Sequence, residues 1–185
     1  MGRQTERTRA AIISTFSEMV FTTHYENIKM SDIARRANVG RSTIYQHYRD
    51  KDAVLLDSMD WILVGLSACV NSNVPNEEIV YLLQHVWEHR DRARKLFFGT
   101  TGQRLERALS TKVASQIALT VKDSDWLISP VFVANQIAAA LFSILRSWVI
   151  ADASASAEQL AQHLHNSANA LNHVALGKTI YSHEH

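Results

Sequence analysis

Residues 31–51, SDIARRANVGRSTIYQHYRDK, constrain the fold of this chain more than any other stretch. They read as two short helices joined by a tight turn. The first places Ile33, Ala34 and Ala37 on one face, and Asn38-Val39-Gly40 makes the turn. The second runs from about Arg41 to Tyr48 and has only Ile44 and Tyr48 as apolar anchors, four residues apart. Arg41, Ser42, Thr43, Tyr45, Gln46 and His47 are left to point outward. A helix this short, with so few anchors, contributes little to a core. Its outward side chains are those that bond to bases and phosphates, as in a helix-turn-helix whose second helix enters the major groove of DNA.

The charge distribution agrees. Residues 1–51 hold nine Lys or Arg against five Asp or Glu, a net of +4, whereas the remainder holds ten against thirteen, a net of −3. The N-terminal part therefore attracts polyanions and the rest does not. Only 6 Gly and 2 Pro in 185 residues suit a chain of helices with few tight turns. No apolar run is expected to be long and charge-free enough to span a membrane, and MGRQTERTRAA lacks the apolar core of a signal peptide. Cys69, the single cysteine, excludes an internal disulfide framework, fits a reducing compartment, and reads as a small buried apolar residue.

Apolar spacing predicts a helix from Thr5 to Thr22, carried by Ile12, Ile13, Phe16, Met19 and Val20. Arg3, Arg7 and Arg9 precede that stripe, within reach of a phosphate backbone. Beyond the motif, one continuous helix is predicted from Asp50 to Ser72, then a break over residues 71–76. Further helices are predicted over 76–88, within 89–102 as a short helix and bend, over 103–122, and from Pro130 to Ile150 after a loop at 122–125. Ala151 to Ser156 is a small-residue linker. Ser156 with Gln159 makes a capping box for a last helix ending near Ala175, followed by a frayed tail.

At the motif the chain resembles the TetR family of bacterial transcriptional regulators. The residues that carry the resemblance are Ile33-Ala34, Ala37, Val39, Thr43-Ile44-Tyr45, His47-Tyr48 and Lys51. They are flanked by Ile12-Ile13, Phe16, Met19-Val20, Tyr25 and Leu55-Leu56, so the specific likeness spans residues 8–56. Four positions depart from the pattern. Lys29 stands where Ser or Thr is usual, His24 and Asn38 where Gly is usual, and Gly40 where a Ser or Thr cap is usual. Asn tolerates a left-handed backbone, and Gly is an acceptable though weaker N-cap.

The resemblance implies an all-α protein: a three-helix helix-turn-helix domain over 1–51, a helical ligand-binding and dimerisation domain over 52–178, and a tail over 179–185. It implies a cytoplasmic, nucleoid-associated regulator that binds a double-stranded DNA operator as a homodimer. Repression relieved by a small-molecule inducer is the default it carries. Tyr45, His47 and Lys51 match positions that touch the DNA backbone or thymine methyls. From the residues themselves, Arg41 at guanine and Gln46 at adenine are the best base readers, Ser42 suits either, and Thr43, His47 and Lys51 are candidate phosphate contacts. One short helix reads few base pairs, so a two-fold dimer on a palindrome is expected.

Two apolar helices are candidates for the dimer interface, through Ile137, Leu141, Leu145 and Trp148 on one and Leu160, Leu164 and Leu171 on the other. The alternative is that these residues form intramolecular core. Trp61, Tyr81, His85, Phe97, Phe98 and Trp126, together with Trp87, either line a pocket for an apolar or aromatic ligand or pack as core. Gln136, Ser143 and Ser147 form a smaller, more polar strip that faces a ligand or permits close helix approach.

His85-Val86-Trp87-Glu88-His89 spells H-x-x-E-H, a pattern known from some zinc peptidases, and two His four apart on a helix can share a metal. A zinc hydrolase is thus the rival reading. It would need a third protein ligand and an open position, and nothing in the sequence brings His163, His165 or His173 to the pair. An edge His and a helix-end His are the plainer reading, so no metal, cofactor, catalytic residue or membrane partner is expected.

Overall fold

The structure, a computed structural model, describes residues 2–71, 77–120, 126–151 and 155–177. The described residues are helical, with no strand among them. Contacts divide the chain into two compact units, Met1–Asp60 and Trp61–His185.

The first unit holds α1 (Gly2–Thr22), a 3-10 turn at Tyr25–Asn27, α2 (Met30–Arg36), α3 (Arg41–His47) and α4 (Lys51–Ser58). Ile12, Phe16, Met19 and Val20 of α1 are buried with Ile33 and Ala34 of α2, Ile44 of α3, and Val54 and Leu55 of α4. The Tyr25 ring meets Phe16 edge-on at 6.3 Å. Asn38 has φ 54°, the left-handed turn that its side chain tolerates in place of Gly. Lys29 and Gly40 precede α2 and α3 as N-caps without a side-chain bond, while Asp50 caps α4 by accepting from the Ala53 N–H at 2.8 Å. Helix α4, expected from sequence to belong to the second domain, packs against α1 in the first unit.

The helix predicted over Asp50–Ser72 is interrupted at Met59 and resumes as α5 (Asp60–Ser67), which ends in a 3-10 turn at Ala68–Val70. The Ser58 hydroxyl donates to the Leu55 carbonyl at 2.7 Å, and the Met59 N–H contacts the Asp57 and Leu55 carbonyls. Both tighten the last turn of α4, and Asp60 supplies the acidic first turn of a new helix.

The second unit continues with α6 (Glu77–Glu88), α7 (Arg90–Phe97), α8 (Gly99–Thr120), α9 (Pro130–Ile150) and α10 (Ala157–Ala175). Helix α9 lies between α8 and α10, and α6 packs on α10. The α9 core face carries Val133, Ile137, Leu141, Phe142, Leu145 and Val149. Phe142 meets Phe97 at 5.7 Å. Arg146 donates to the Phe97 carbonyl at 2.8 Å and pairs with Glu106 at 2.8 Å, and Arg94 donates to the Val149 carbonyl at 2.6 Å. The capping box at Ser156 is formed: its N–H donates to Gln159 Oε1 at 2.9 Å, and its hydroxyl accepts from the Gln159 N–H at 3.2 Å. Cys69 is buried, and burial pushes its thiol pKa up to about 12, as a packing residue rather than a reactive one requires.

Two boundaries and one expectation change. Helix α8 starts at Gly99, ahead of the predicted 103. Helix α1 begins before Thr5. Helix α9 is long and apolar enough to cross a membrane, with Arg146 its only charge, so the expectation that no such run exists does not hold; half of its most apolar window is buried within the chain. The predicted break at 72–76, the loop at 122–125, most of the 151–156 linker and the tail from 178 onward lie outside the described residues.

Candidate nucleic-acid interface

Helix α3 is pinned by its two apolar anchors. Ile44 and Tyr48 are buried, so the opposite side of the helix is turned out. Arg41, Ser42, Tyr45 and Gln46 are exposed on that side, and Thr43 and His47 are half-exposed. Tyr45 shows 48% of its surface, a large aromatic that no core claims. The four exposed side chains, Arg41, Ser42, Tyr45 and Gln46, thus share one face of a seven-residue helix, set behind a turn held by the Val39 N–H on the Ala34 carbonyl at 2.9 Å.

The end of α3 is fixed by a group that sequence reasoning missed. The Tyr48 hydroxyl donates to Asp57 Oδ2 at 2.5 Å. Arg9 grips the same carboxylate, with Nε at 2.7 Å from Oδ2 and a second guanidinium nitrogen on Oδ1. The bidentate bond from Arg9 holds the Asp57 carboxyl below its usual range, assisted by Tyr48. Burial first, and then the Asp57 bond, push the Tyr48 phenol up, so it stays a donor. Arg9, grouped by sequence with Arg3 and Arg7 as a phosphate contact, instead ties α1 to α4 and the end of α3. No local spacing could have announced this, because the partners stand 48 and 9 residues from each other along the chain.

Lys51 is also partly engaged. Its ammonium donates to the Tyr25 carbonyl at 2.7 Å and the Glu26 carbonyl at 3.0 Å, and lies 4.5 Å from the Tyr25 ring centroid. The Tyr25 hydroxyl bonds in turn to Asp52. An ammonium has three donors, of which these bonds use two.

The six candidate ligand residues of the second unit do not converge. Phe97 is core, buried against Phe142. Trp61 is 41% exposed and Tyr81 68% exposed, whereas Phe98 lies at the surface and Trp126 is half-buried. Only Trp61 and His85 meet, edge-on at 5.1 Å. A cleft of about 390 Å³ is lined instead by Gln84, Trp87, Glu88, Trp148, Ser156 and Glu158, with the Trp87 and Trp148 rings 4.9 Å apart. A second, of about 410 Å³, runs along Ser143, Ser147, Trp148, Leu160 and His163. Neither contains any of the six, whereas Trp87, named with them from the sequence, lines the first.

The proposed dimer residues need a correction. Ile137, Leu141, Leu145, Trp148, Leu160 and Leu164 are buried within the single chain, and Leu171 is half-buried. They are core, because α8 and α6 cover the apolar sides of α9 and α10. Helix α9 leaves outside the apolar Val131, Phe132 and Ile150 as well as a small, polar strip of Gln136, Ala139, Ser143 and Ser147; α10 leaves Glu158, Gln159, Gln162, His163, Asn166 and Val174.

A tight turn, a short helix anchored from behind and a polar outward face make up a helix-turn-helix. Residues 18–57 match the family described as bacterial regulatory proteins, tetR family. No curated protein matches the chain by sequence. Among solved structures, a TetR transcriptional regulator from Streptococcus agalactiae is similar at 20% identity and a TM-score of 0.54, over 90% of this chain and 96% of that one. NalD of Pseudomonas aeruginosa, the secondary repressor of the MexAB-OprM multidrug efflux pump, is similar at 16% identity and a TM-score of 0.54, over the same shares. These likenesses give the fold, and the N-terminal match makes residues 18–57 similar to the tetR-family DNA-binding domain.

Proposed function

We propose that the chain is a homodimeric repressor that occupies a palindromic operator through α3 and is released from it by a small molecule bound in the second unit. The observation that carries the reading is the outward face of α3, where Arg41 and Gln46 stand exposed beside Ser42 and Tyr45 while Ile44 and Tyr48 are locked behind. In this reading Arg41 reads guanine and Gln46 adenine, Ser42 assists either, Tyr45 packs on a thymine methyl or the backbone, and Thr43, His47 and Lys51 hold phosphates. The protein acts by binding rather than catalysis, in the cytoplasm, at the nucleoid.

The dimer forms through the outward faces of α9 and α10. Small side chains at Ala139, Ser143 and Ser147 let a second copy's helix approach closely, and the cleft beside His163 receives its side chains. An apolar or aromatic inducer enters the cleft lined by Trp87 and Trp148, whose paired rings offer an outer stacking surface. Its binding favours the state with weaker DNA affinity, and by linkage DNA weakens inducer binding equally. The domain division behind this scheme is that of the two units, reading head and sensor.

The test is a reporter promoter carrying an operator selected from random duplex DNA. Expression of the chain should lower output, and Arg41→Ala with Gln46→Ala should restore it. A rise in output on expression of the unaltered chain would contradict repression.

A further inference from the structure

The histidine pair at the end of α6 has no part in DNA reading. His85 and His89 stand one turn apart, with ring centroids 4.5 Å from each other and planes at 69°. One ligand atom from each of His85, Glu88 and His89 lies within 4.8 Å of the others. His85 is half-buried and covered at its edge by Trp61, whereas Glu88 and His89 are exposed. We propose that His85, Glu88 and His89 bind a divalent transition-metal ion of the Zn²⁺ class, on a site that nothing in DNA recognition requires.

The donor set suits that ion. Two neutral imidazoles and a carboxylate are borderline-to-hard ligands, and a fourth position faces solvent for water. Bonds of about 2.0–2.2 Å demand donors roughly 3.4 Å apart. Side-chain rotation of Glu88 and His89, both exposed, closes the gap. Burial first, and His89 next, hold His85 below its ordinary pKa, which eases the proton loss that metal binding requires. The charge of Arg92 also acts on His85 and opposes a cation, and Glu88 acts in the opposite sense. His89 precedes α7 with φ −112° and ψ 31° and makes no side-chain cap bond there. An ion shared by His85 and His89 therefore ties the last turn of α6 to the start of α7. With Glu88 taken up as a ligand, the motif keeps no carboxylate to serve as general base, and H-x-x-E-H here is a binding site.

The test uses the untagged full-length chain carrying His183→Ala and His185→Ala, so that the tail histidines do not compete. Zn²⁺ is titrated against a chromophoric chelator, and Cu²⁺ in parallel with tryptophan fluorescence as the signal from Trp61. Expected are one Zn²⁺ per chain, quenching by Cu²⁺, and a loss of affinity of about tenfold or more when His85→Gln and His89→Ala are added, with the helical circular dichroism unchanged. His89→Ala alone, at an exposed position, should lose a large share of it and guards against a folding artefact. No stoichiometric Zn²⁺ binding, or a double variant within tenfold of its parent, overturns the site. Operator binding plays no part in either signal, so the result stands apart from the repressor reading.

Discussion

At the scale of single residues, Arg41 and Lys51 make opposite predictions. Arg41 is exposed on the outward face of α3. Arg41→Ala should relax preference at one position in each half-site, at about 1–3 kcal/mol against the preferred base; a uniform loss across all duplexes would make it a backbone contact. Lys51→Ala should weaken every duplex alike and reduce the salt slope by about 1. It should also lower the melting temperature, because its bonds to the Tyr25 and Glu26 carbonyls go with it. A lower melting temperature with an unchanged salt slope would leave Lys51 a purely internal clamp. Asp57 supplies the pH dependence. Its folded pKa is depressed, so the stability it contributes is complete above the ordinary carboxylate range and is lost as pH falls through the folded value. Asp57→Asn should therefore cost the first unit about 1–2 kcal/mol at neutral pH and flatten its acid denaturation. An unaltered acid limb would remove Asp57 from that role.

At the scale of elements, what was legible followed local chemistry. The apolar stripe of α1, the anchors Ile44 and Tyr48, the left-handed Asn38 and the capping box at Ser156 were all readable, because each rests on neighbours within about a turn. The break at Met59 was not. Apolar spacing runs straight through it, whereas the Ser58 hydroxyl on the Leu55 carbonyl and the Met59 N–H on the Asp57 and Leu55 carbonyls tighten the turn where α4 stops. The dimer residues failed for a related reason. Periodicity says that a face is apolar, not which neighbour covers it, and Leu145 and Leu164 proved to be covered by their own chain. Gly102 illustrates packing that composition hides. A Cβ there would stand 2.1 Å from the Phe97 carbonyl oxygen. Ala normally gains up to about 1 kcal/mol over Gly inside a helix, but Gly102→Ala should instead cost about 1–3 kcal/mol by chemical denaturation, because backbone cannot swing aside. A stabilised variant would mean that the junction of α7 and α8 repacks freely.

At the scale of the whole molecule, the chain divides into an N-terminal unit that carries α3 and a larger helical unit whose α9 shows a small, polar strip beside the exposed apolar Val131, Phe132 and Ile150. Ser143→Arg with Ser147→Arg, both at exposed positions, should yield a folded monomer in sedimentation and lose operator affinity with it. Retention of the dimer would place the interface elsewhere. The central claim is that α3 reads a specific sequence twice, once per copy. Selection of binding sites from random duplex DNA, at near-physiological salt and with the untagged chain, tests it most directly. The account predicts an enriched palindrome with half-sites about one helical turn apart, lost when Arg41 and Gln46 are replaced by Ala. A pool that stays random, with only salt-sensitive weak binding, would contradict sequence-specific reading by α3.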